Sequence, residues 1–208
     1  MVKLLEKSKL FNIFMIITSK KEKKNIWRLK KIVKNKNTNI YCDSFPHKNK
    51  KIINRSIKQN IKLGISTGFS NLIGIKFLKI FKEGIINIHP AYLPYNKGSH
   101  SAFWSILNEE PYGSSLHYMD RKFDSGKIID RVKVENNLFK TAEEIYHHSR
   151  KLGIELLKKN LGKIYSGKMK TIKNEKSKIN FKKDIKKIIY LKLNEEIKVK
   201  KLWAIIRG

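Results

Sequence analysis

The chain has 208 residues, among them 47 Lys or Arg, 17 Asp or Glu and one cysteine, and its formal charge at pH 7 is +30. Because 40% of the residues are hydrophobic and 10% are aromatic, the chain can bury a sizeable core, which excludes wholesale disorder. The single cysteine, Cys42, excludes an intrachain disulfide and a zinc site built from several cysteines, as expected of a reducing compartment.

The positive charge is concentrated in the two flanks of the sequence. Residues 85–126 hold three basic and four acidic side chains, so the middle of the chain carries no excess charge. The basic residues are 41 Lys and only six Arg beside abundant Ile and Asn, a bias that AT-rich coding sequence produces. A nucleic-acid reader concentrates basic residues around its recognition side chains. We therefore expect only non-specific attraction to nucleic acid.

No segment near the start is long enough to cross a bilayer. Residues 10–17 form the longest apolar stretch there, and Asn12 interrupts it. A transmembrane helix needs about 20 apolar residues. Lysines follow the stretch in place of a signal-peptide cleavage site, so it predicts a buried strand. We expect no membrane association and a cytoplasmic location.

The first half of the chain alternates between strand and helix patterns. Apolar runs predict strands, and apolar residues spaced three and four apart predict helices between them. Ser70 is placed to cap the third helix and Gly84 to end it. The predicted order is strand 10–19, helix 22–33, strand 39–42, helix 50–59, strand 61–66, helix 70–84 and strand 85–89. Such alternation is typical of an α/β fold with a mostly parallel sheet and helices on both faces.

The pattern changes after Pro90. A loop, a helix over 101–108 and strands over 114–119 and 128–134 follow, and Thr141 with Glu144 forms a capping box that opens a long helix. Beyond Gly167 the sequence is Lys-rich, with helical spacing at the end that includes Phe181, Ile185, Ile188 and Ile189. We therefore divide the chain into a main domain, 1–167, and a small C-terminal region, 168–208. Neither of the two common glycine-rich phosphate-binding motifs is present.

Three polar residues are candidates for chemistry. Asn87 and His89 end the 85–89 strand two residues apart, so both side chains point to the same side. Asp124 follows 37 residues later in a turn. An amide and an imidazole can stabilise an oxyanion while a carboxylate takes a proton, which suits acyl transfer to an amine. The alternative is that these are ordinary turn residues with satisfied hydrogen bonds.

The same residues lie in motifs that resemble the 10-formyltetrahydrofolate-dependent formyltransferases. The resemblance rests on the Asn-x-His with a following Leu-Pro (residues 86–94), on Gly98, on residues 115–120 and on Asp-x-Gly at 124–126. It covers about residues 10–167 and implies a Rossmann-like fold with Asn87, His89 and Asp124 as the catalytic residues. It also implies 10-formyltetrahydrofolate as cosubstrate and no metal. The chain begins at the second strand of that fold, so we expect the first strand to be missing and the C-terminal region to be incomplete.

The resemblance also assigns binding residues. Two loops look like those that hold the pterin, although either could be a plain connection; their residues are Gly68, Phe69, Asn71, Leu72 and Ile73, and Met119, Asp120 and Phe123. On the acceptor side, His100, Phe103, Trp104 and His117 are candidates. The alternatives are that the two aromatic residues belong to the core and that His117 is a buried strand histidine held by hydrogen bonds.

Within the family, the residues around Trp104 are similar to the sugar N-formyltransferases. We therefore expect a folate cosubstrate and an amine acceptor, with a nucleotide-linked amino sugar as the first choice. The enzymes that formylate methionyl-tRNA and glycinamide ribonucleotide share the catalytic residues and stay open, as does an inactive truncated member of the family. A homodimer is one assembly state that we consider.

Overall fold

The computed structural model describes residues 1–20, 23, 26–134 and 141–185. Its α-helices within these ranges are α1 (Val2–Ser8), α2 (Ile26–Ile32), α3 (Lys50–Lys58), α4 (Ile75–Leu78), α5 (Ser101–Leu107) and α6 (Ala142–Tyr165), besides a short 3-10 helix (Pro46–Lys48) and a helical turn at 182–185. Its strands there are β1 (Met15–Thr18), β2 (Asn39–Cys42), β3 (Gly64–Thr67), β4 (Ile85–His89), β5 (Lys97–Gly98), β6 (Tyr112–Tyr118), β7 (Ile128–Val134) and β8 (Ile179–Asn180). None of these helices is long and apolar enough to cross a membrane.

The central sheet has the order β3-β4-β6-β7. Strands β3 and β4 are parallel, whereas β6 runs antiparallel to both β4 and β7. Strands β1 and β2 form a separate parallel pair. The predicted α/β fold with parallel strands is therefore confirmed, and the strands after Pro90 are where the sheet turns antiparallel.

The two faces of the sheet bury different apolar clusters. Ile86 and Ile88 of β4 pack with Leu116, α1 and α6 on one face. Ile85 packs with α3 and α4 on the other face. Because side chains alternate along a strand, Asn87 and His89 share the face of Ile85. The apolar run of β4 is thus buried on both sides, as central strands of α/β sheets are.

The helix predicted over 70–84 corresponds to α4, which is much shorter. It begins at Ile75 after Gly74 and ends at Leu78, so Ser70 is not its cap and Gly84, six residues further on, does not end it. Residues 68–74 form a loop in which Gly68 has a φ of +64°, and the Asn71 amide donates to the Ser44 carbonyl at 3.0 Å. A long-range hydrogen bond therefore replaces the first helical turn that the local pattern favoured.

Other boundaries shift too. The 10–19 strand is observed only over Met15–Thr18, and the helix predicted over 22–33 is described from Ile26 to Ile32. The predicted capping box is confirmed, because the Glu144 N–H donates to Thr141 Oγ1 and Thr141 N–H donates back to the Glu144 carboxylate. Residues 182–185 are helical, and Ile188 and Ile189 lie outside the described residues.

Candidate active site

Strand β4 and its antiparallel neighbour β6 supply three of the polar side chains. Asn87 of β4 lies directly opposite His117 of β6 in the strand register. These two residues and His89, at the end of β4, are buried. Residues opposite each other in an antiparallel pair face the same side of the sheet. The pairing therefore puts His117 beside the two residues that end β4.

Asp124 reaches the same place from the turn between β6 and β7. Its backbone has a φ of +47°, a left-handed conformation that Asp tolerates better than most residues. One carboxylate oxygen, Oδ1, lies 3.3 Å from both Asn87 Nδ2 and His117 Nε2. The other, Oδ2, accepts the Gly98 N–H at 2.8 Å and lies 3.5 Å from His89 Nδ1. The carboxylate is thus the centre of the cluster.

The remaining ring contacts indicate how the two histidines are protonated. His117 Nδ1 lies 2.8 Å from the Tyr118 carbonyl, which requires a proton on Nδ1. His117 Nε2 lies 3.1 Å from Asn87 Nδ2 and 3.3 Å from Asp124 Oδ1, so it accepts from the amide when it is unprotonated and donates to the carboxylate when it carries a proton. In the same way, the Asn96 carbonyl, 3.1 Å from His89 Nε2, holds the proton of neutral His89 on Nε2. A second proton on His89 therefore goes to Nδ1, which faces Asp124.

Burial and charge act together on these groups. Burial opposes ionisation of Asp124, but the nearby His89, the hydrogen bond and charge of His117 and the Gly98 N–H outweigh it and hold the pKa of that carboxyl well below its usual range. Burial lowers the pKa of His89 below that of a free imidazole, and the Asp124 charge opposes this shift. An ionised carboxylate beside an imidazole, with His89 Nδ1 facing Asp124, is an arrangement that can move a proton.

The structure therefore brings together Asn87, His89 and Asp124, which lie in two separate stretches of sequence. His117 joins them with its residue only 1% exposed, so it is a strand histidine held by hydrogen bonds and a member of the cluster at once. The backbone partners, the Gly98 N–H and the Asn96 carbonyl, were not identified from the sequence, because backbone groups carry no residue signature.

The two loops predicted to bind the pterin lie together. Phe69, Ile73 and Met119 pack against the same apolar cluster. Leu72 is 42% exposed, so apolar surface is available beside them. Asp120 is exposed and accepts the Arg121 N–H, while Phe123 makes an edge-to-face contact with Phe181. A flat, partly polar ring fits such a boundary between apolar and polar groups.

The predicted acceptor residues do not all lie on the surface. His100 is exposed at the start of α5. Phe103 and Trp104, by contrast, are 3% and 2% exposed and pack with Ile185 in an interior cluster. The expected stacking of Trp104 on the acceptor is therefore corrected to core packing, because its face of α5 points inward. Across the described ranges, no group of three or more His, Cys, Asp or Glu side chains is arranged to hold a metal ion.

Comparison with known proteins gives the family of the chain. Residues 2–161 match the formyl transferase family, so the chain belongs to that family. The chain is 41% identical over 86 residues to GDP-perosamine N-formyltransferase of Brucella melitensis, which covers 40% of this chain and 32% of that protein. It is 30% identical over 138 residues to methionyl-tRNA formyltransferase of Bacillus cytotoxicus. This alignment covers 64% of this chain and 44% of that protein.

A solved structure gives a comparison with bound ligands. The formyltransferase PseJ from Anoxybacillus kamchatkensis, in complex with UDP-4,6-dideoxy-4-formamido-L-AltNAc and tetrahydrofolate, superposes with a TM-score of 0.63 at 26% identity. The alignment covers 88% of this chain and 93% of that one. The chain spans about a third to under half of the length of the two curated relatives named above.

Proposed function

We propose that the protein transfers a formyl group from 10-formyltetrahydrofolate to an amine. The observation that carries this proposal is the placement of Asn87 and His89 within 3.3 and 3.5 Å of the Asp124 carboxylate, inside a domain of the formyl transferase family. The apolar surface at Phe69, Leu72 and Met119 supports a folate as the cosubstrate.

In the proposed mechanism the neutral amine attacks the formyl carbon, and a carbon–nitrogen bond forms while the formyl oxygen becomes an oxyanion. The Asn87 amide and the charge of protonated His89 stabilise that oxyanion. Asp124, which is ionised, orients His89 and accepts the proton that the attacking amine loses. The bond to the folate nitrogen then breaks, and that nitrogen takes up the proton, so the products are a formamide and tetrahydrofolate.

We propose a nucleotide-linked amino sugar as the acceptor. The 41% identity to GDP-perosamine N-formyltransferase over 86 residues supports it, as does the structural similarity to PseJ, which was solved with a UDP-linked formamido sugar. Methionyl-tRNA is the second candidate, because a methionyl-tRNA formyltransferase aligns over 138 residues and a basic surface attracts RNA. A cytoplasmic location and a homodimer stay predictions.

The test supplies purified protein with 10-formyltetrahydrofolate and, separately, a panel of nucleotide amino sugars, glycinamide ribonucleotide and methionyl-tRNA. We expect mass spectrometry to show a formyl group on an amino sugar. If the protein binds a folate analogue but formylates none of the three acceptor classes, it is an inactive member of the family and the proposal fails.

The catalytic assignment has its own test. We expect Asn87→Ala to lower turnover by about 10²- to 10³-fold, as removal of an oxyanion donor does elsewhere. Asp124→Asn keeps the shape of the side chain and removes its charge, and it should lose most turnover while the circular dichroism spectrum stays unchanged. Glu143→Gln, a change at a 61% exposed side chain, is the matched control. Near-normal rates in Asn87→Ala or Asp124→Asn would contradict the assigned roles.

A further inference from the structure

The chain after α6 returns to the candidate active site. Strand β8 pairs with β5. Lys97 Nζ donates to the Glu175 carbonyl at 2.7 Å. Ser177 Oγ donates to the Pro94 carbonyl at 2.6 Å. We call residues 174–180 the strap. These contacts hold the strap in place without any contribution from the side chain of its first residue.

That first residue, Asn174, bonds to the backbone of the Asp124 turn. Asn174 Nδ2 donates to the Asp124 and Gly126 carbonyls, both at 2.9 Å. A side-chain amide nitrogen carries two protons, so each carbonyl receives one of them. Asn174 Oδ1 is buried and has no hydrogen-bond partner among the described residues. An inverted amide would place this oxygen against two carbonyl oxygens, so the two bonds of Nδ2 decide the orientation.

The two carbonyls belong to residues that are held in different ways. Gly126 packs tightly against β6, because a Cβ at this position would lie 1.9 Å from the Tyr118 carbonyl oxygen. Asp124 has a φ of +47°, a conformation that costs a non-glycine residue free energy and persists only where its surroundings enforce it. Asn174 therefore ties a strained residue to one that close packing already fixes.

We infer that Asn174 is a positioning residue that holds the Asp124 backbone so that its carboxylate faces His89. This inference rests on the proposed role of Asp124. Asp124 Oδ2 lies 3.5 Å from His89 Nδ1 and accepts the Gly98 N–H at 2.8 Å. Without the Asn174 amide, the Asp124 carbonyl loses its partner and the turn can relax toward a negative φ. The carboxylate then moves away from both groups.

A residue that only fastened the strap would behave differently. When Asn174 is changed, the strap keeps its β8–β5 pairing and its bonds to Lys97 and from Ser177. Loss of the Asn174 amide should therefore alter the position of Asp124 and leave the fold intact. The two roles are separated by a measurement at His89, which Asn174 is not observed to contact.

The other charged or titratable groups around His89 and Asp124 come from three elements. His117 of β6 contacts the Asp124 carboxylate, and Lys97 of β5 interacts with its charge. Glu175 of the strap interacts in turn with Lys97. A substitution of the first strap residue changes the charge of none of these groups. A change in the pKa of His89 therefore reports the position of the Asp124 carboxylate.

The test measures the pKa of His89 by NMR in Asn174→Ala and in the wild type. Because the Asp124 charge raises the pKa of His89, displacement of the carboxylate should lower it further. The Gly98 N–H should exchange with solvent about tenfold faster or more, since it loses its acceptor. On an acceptor that the wild type formylates, kcat should fall about tenfold or more, because misplacing a catalytic group is costly.

Two further variants separate hydrogen bonding from packing. Asn174→Leu keeps nearly the same shape and removes both hydrogen bonds, so it should lower the pKa of His89 as Asn174→Ala does. Ser177→Ala removes a strap hydrogen bond that does not touch Asp124. It should leave both the pKa of His89 and the exchange rate of the Gly98 N–H unchanged.

Several results would overturn the inference. An unchanged or raised pKa of His89 in Asn174→Ala is one, and a shift that Asn174→Leu does not share is another, because packing would then hold the turn. Loss of the fold in both variants, or an equal shift in Ser177→Ala, shows that the strap acts as a whole. The pKa and the exchange rate are read without any acceptor, so an inactive wild type contradicts the proposed function and not this inference.

Discussion

At the scale of single residues, one carboxylate organises the site. Asp124 contacts Asn87, His117 and the Gly98 N–H, and it faces the Nδ1 of His89 at 3.5 Å. That Asn87 and His89 share one side of the sheet was predictable from strand alternation, whereas the grouping with Asp124 was implied by the family resemblance, and the catalytic roles stay a proposal. The contribution of Asn174 was not readable, because its partner lies 50 residues away and no local pattern marks such a hydrogen bond.

The lowered pKa values of His89 and Asp124 predict a loss of stability in acid. A histidine whose pKa is lowered by folding stabilises the protein above its unfolded value, near 6.5, and this stability is lost as pH falls through the folded value. Asp124 has a lowered pKa too, so its stabilisation is complete above about 4 and is lost below that. We expect the free energy of unfolding in urea to decrease from pH 7 to pH 5.5 and again below pH 4.

Two histidine variants check the first step. His89→Gln should flatten the decrease between pH 7 and 5.5, whereas His147→Gln, at a side chain 63% exposed, should leave it as in the wild type. The same slope in His89→Gln as in the wild type would show that another group is responsible.

At the scale of elements, the long helix α6 contains two glycines in different surroundings. A Cβ on Gly153 would lie 2.3 Å from Ile88 Cγ2 and 2.6 Å from Ser114 Oγ, so only glycine lets α6 approach the sheet this closely. A Cβ on Gly162, two and a half turns later, would meet no atom within 4 Å. The first glycine is required by packing and the second is not.

We therefore expect opposite effects from the same substitution. Gly153→Ala should lower the free energy of unfolding by about 1–3 kcal/mol through overpacking. Gly162→Ala should raise it by about 0.5–1 kcal/mol, because alanine is the better helix former. Urea unfolding of the two variants beside the wild type measures both, and a destabilised Gly162→Ala or a neutral Gly153→Ala would contradict this packing of α6.

The elements that the sequence predicted well are those with strong local signals. The Ile-rich strand β4 and the capping box of α6 were predicted at their observed positions. The start of α4 was predicted too early, because residues 70–74 form a loop in which the Asn71 amide donates a hydrogen bond to the Ser44 carbonyl. The burial of Trp104 depends on Ile185, far along the chain, so helical spacing alone did not separate core from binding surface.

At the scale of the whole molecule, the charge of +30 lies in the two flanks of the sequence, outside the stretch that holds the candidate active site. Residues 85–126 contain the site and no excess of basic side chains. The fold class was predictable because strand and helix patterns alternate over the first 90 residues, whereas the antiparallel direction of β6 depends on pairings that no local pattern encodes.

We expect this charge to produce binding to polyanions that depends steeply on salt. Affinity for a random DNA duplex should fall by about 10³-fold or more between 50 and 200 mM salt, because the attraction comes from counterion release. Fluorescence anisotropy at several salt concentrations measures this. Affinity that persists at high salt, or that prefers one sequence, would contradict a purely non-specific interaction.

Residues 174–180 contact the backbone around the candidate active site, and this has a practical consequence for anyone who shortens the protein. The match to the family ends at residue 161, and cloning to that limit would retain Asn87, His89, His117 and Asp124. It would also delete β8, which pairs with β5 at residues 97–98, and Asn174, which donates hydrogen bonds to the Asp124 and Gly126 carbonyls. An expression boundary that keeps the candidate active site intact therefore belongs after residue 180, because spatial contacts extend further along the chain than the family match does.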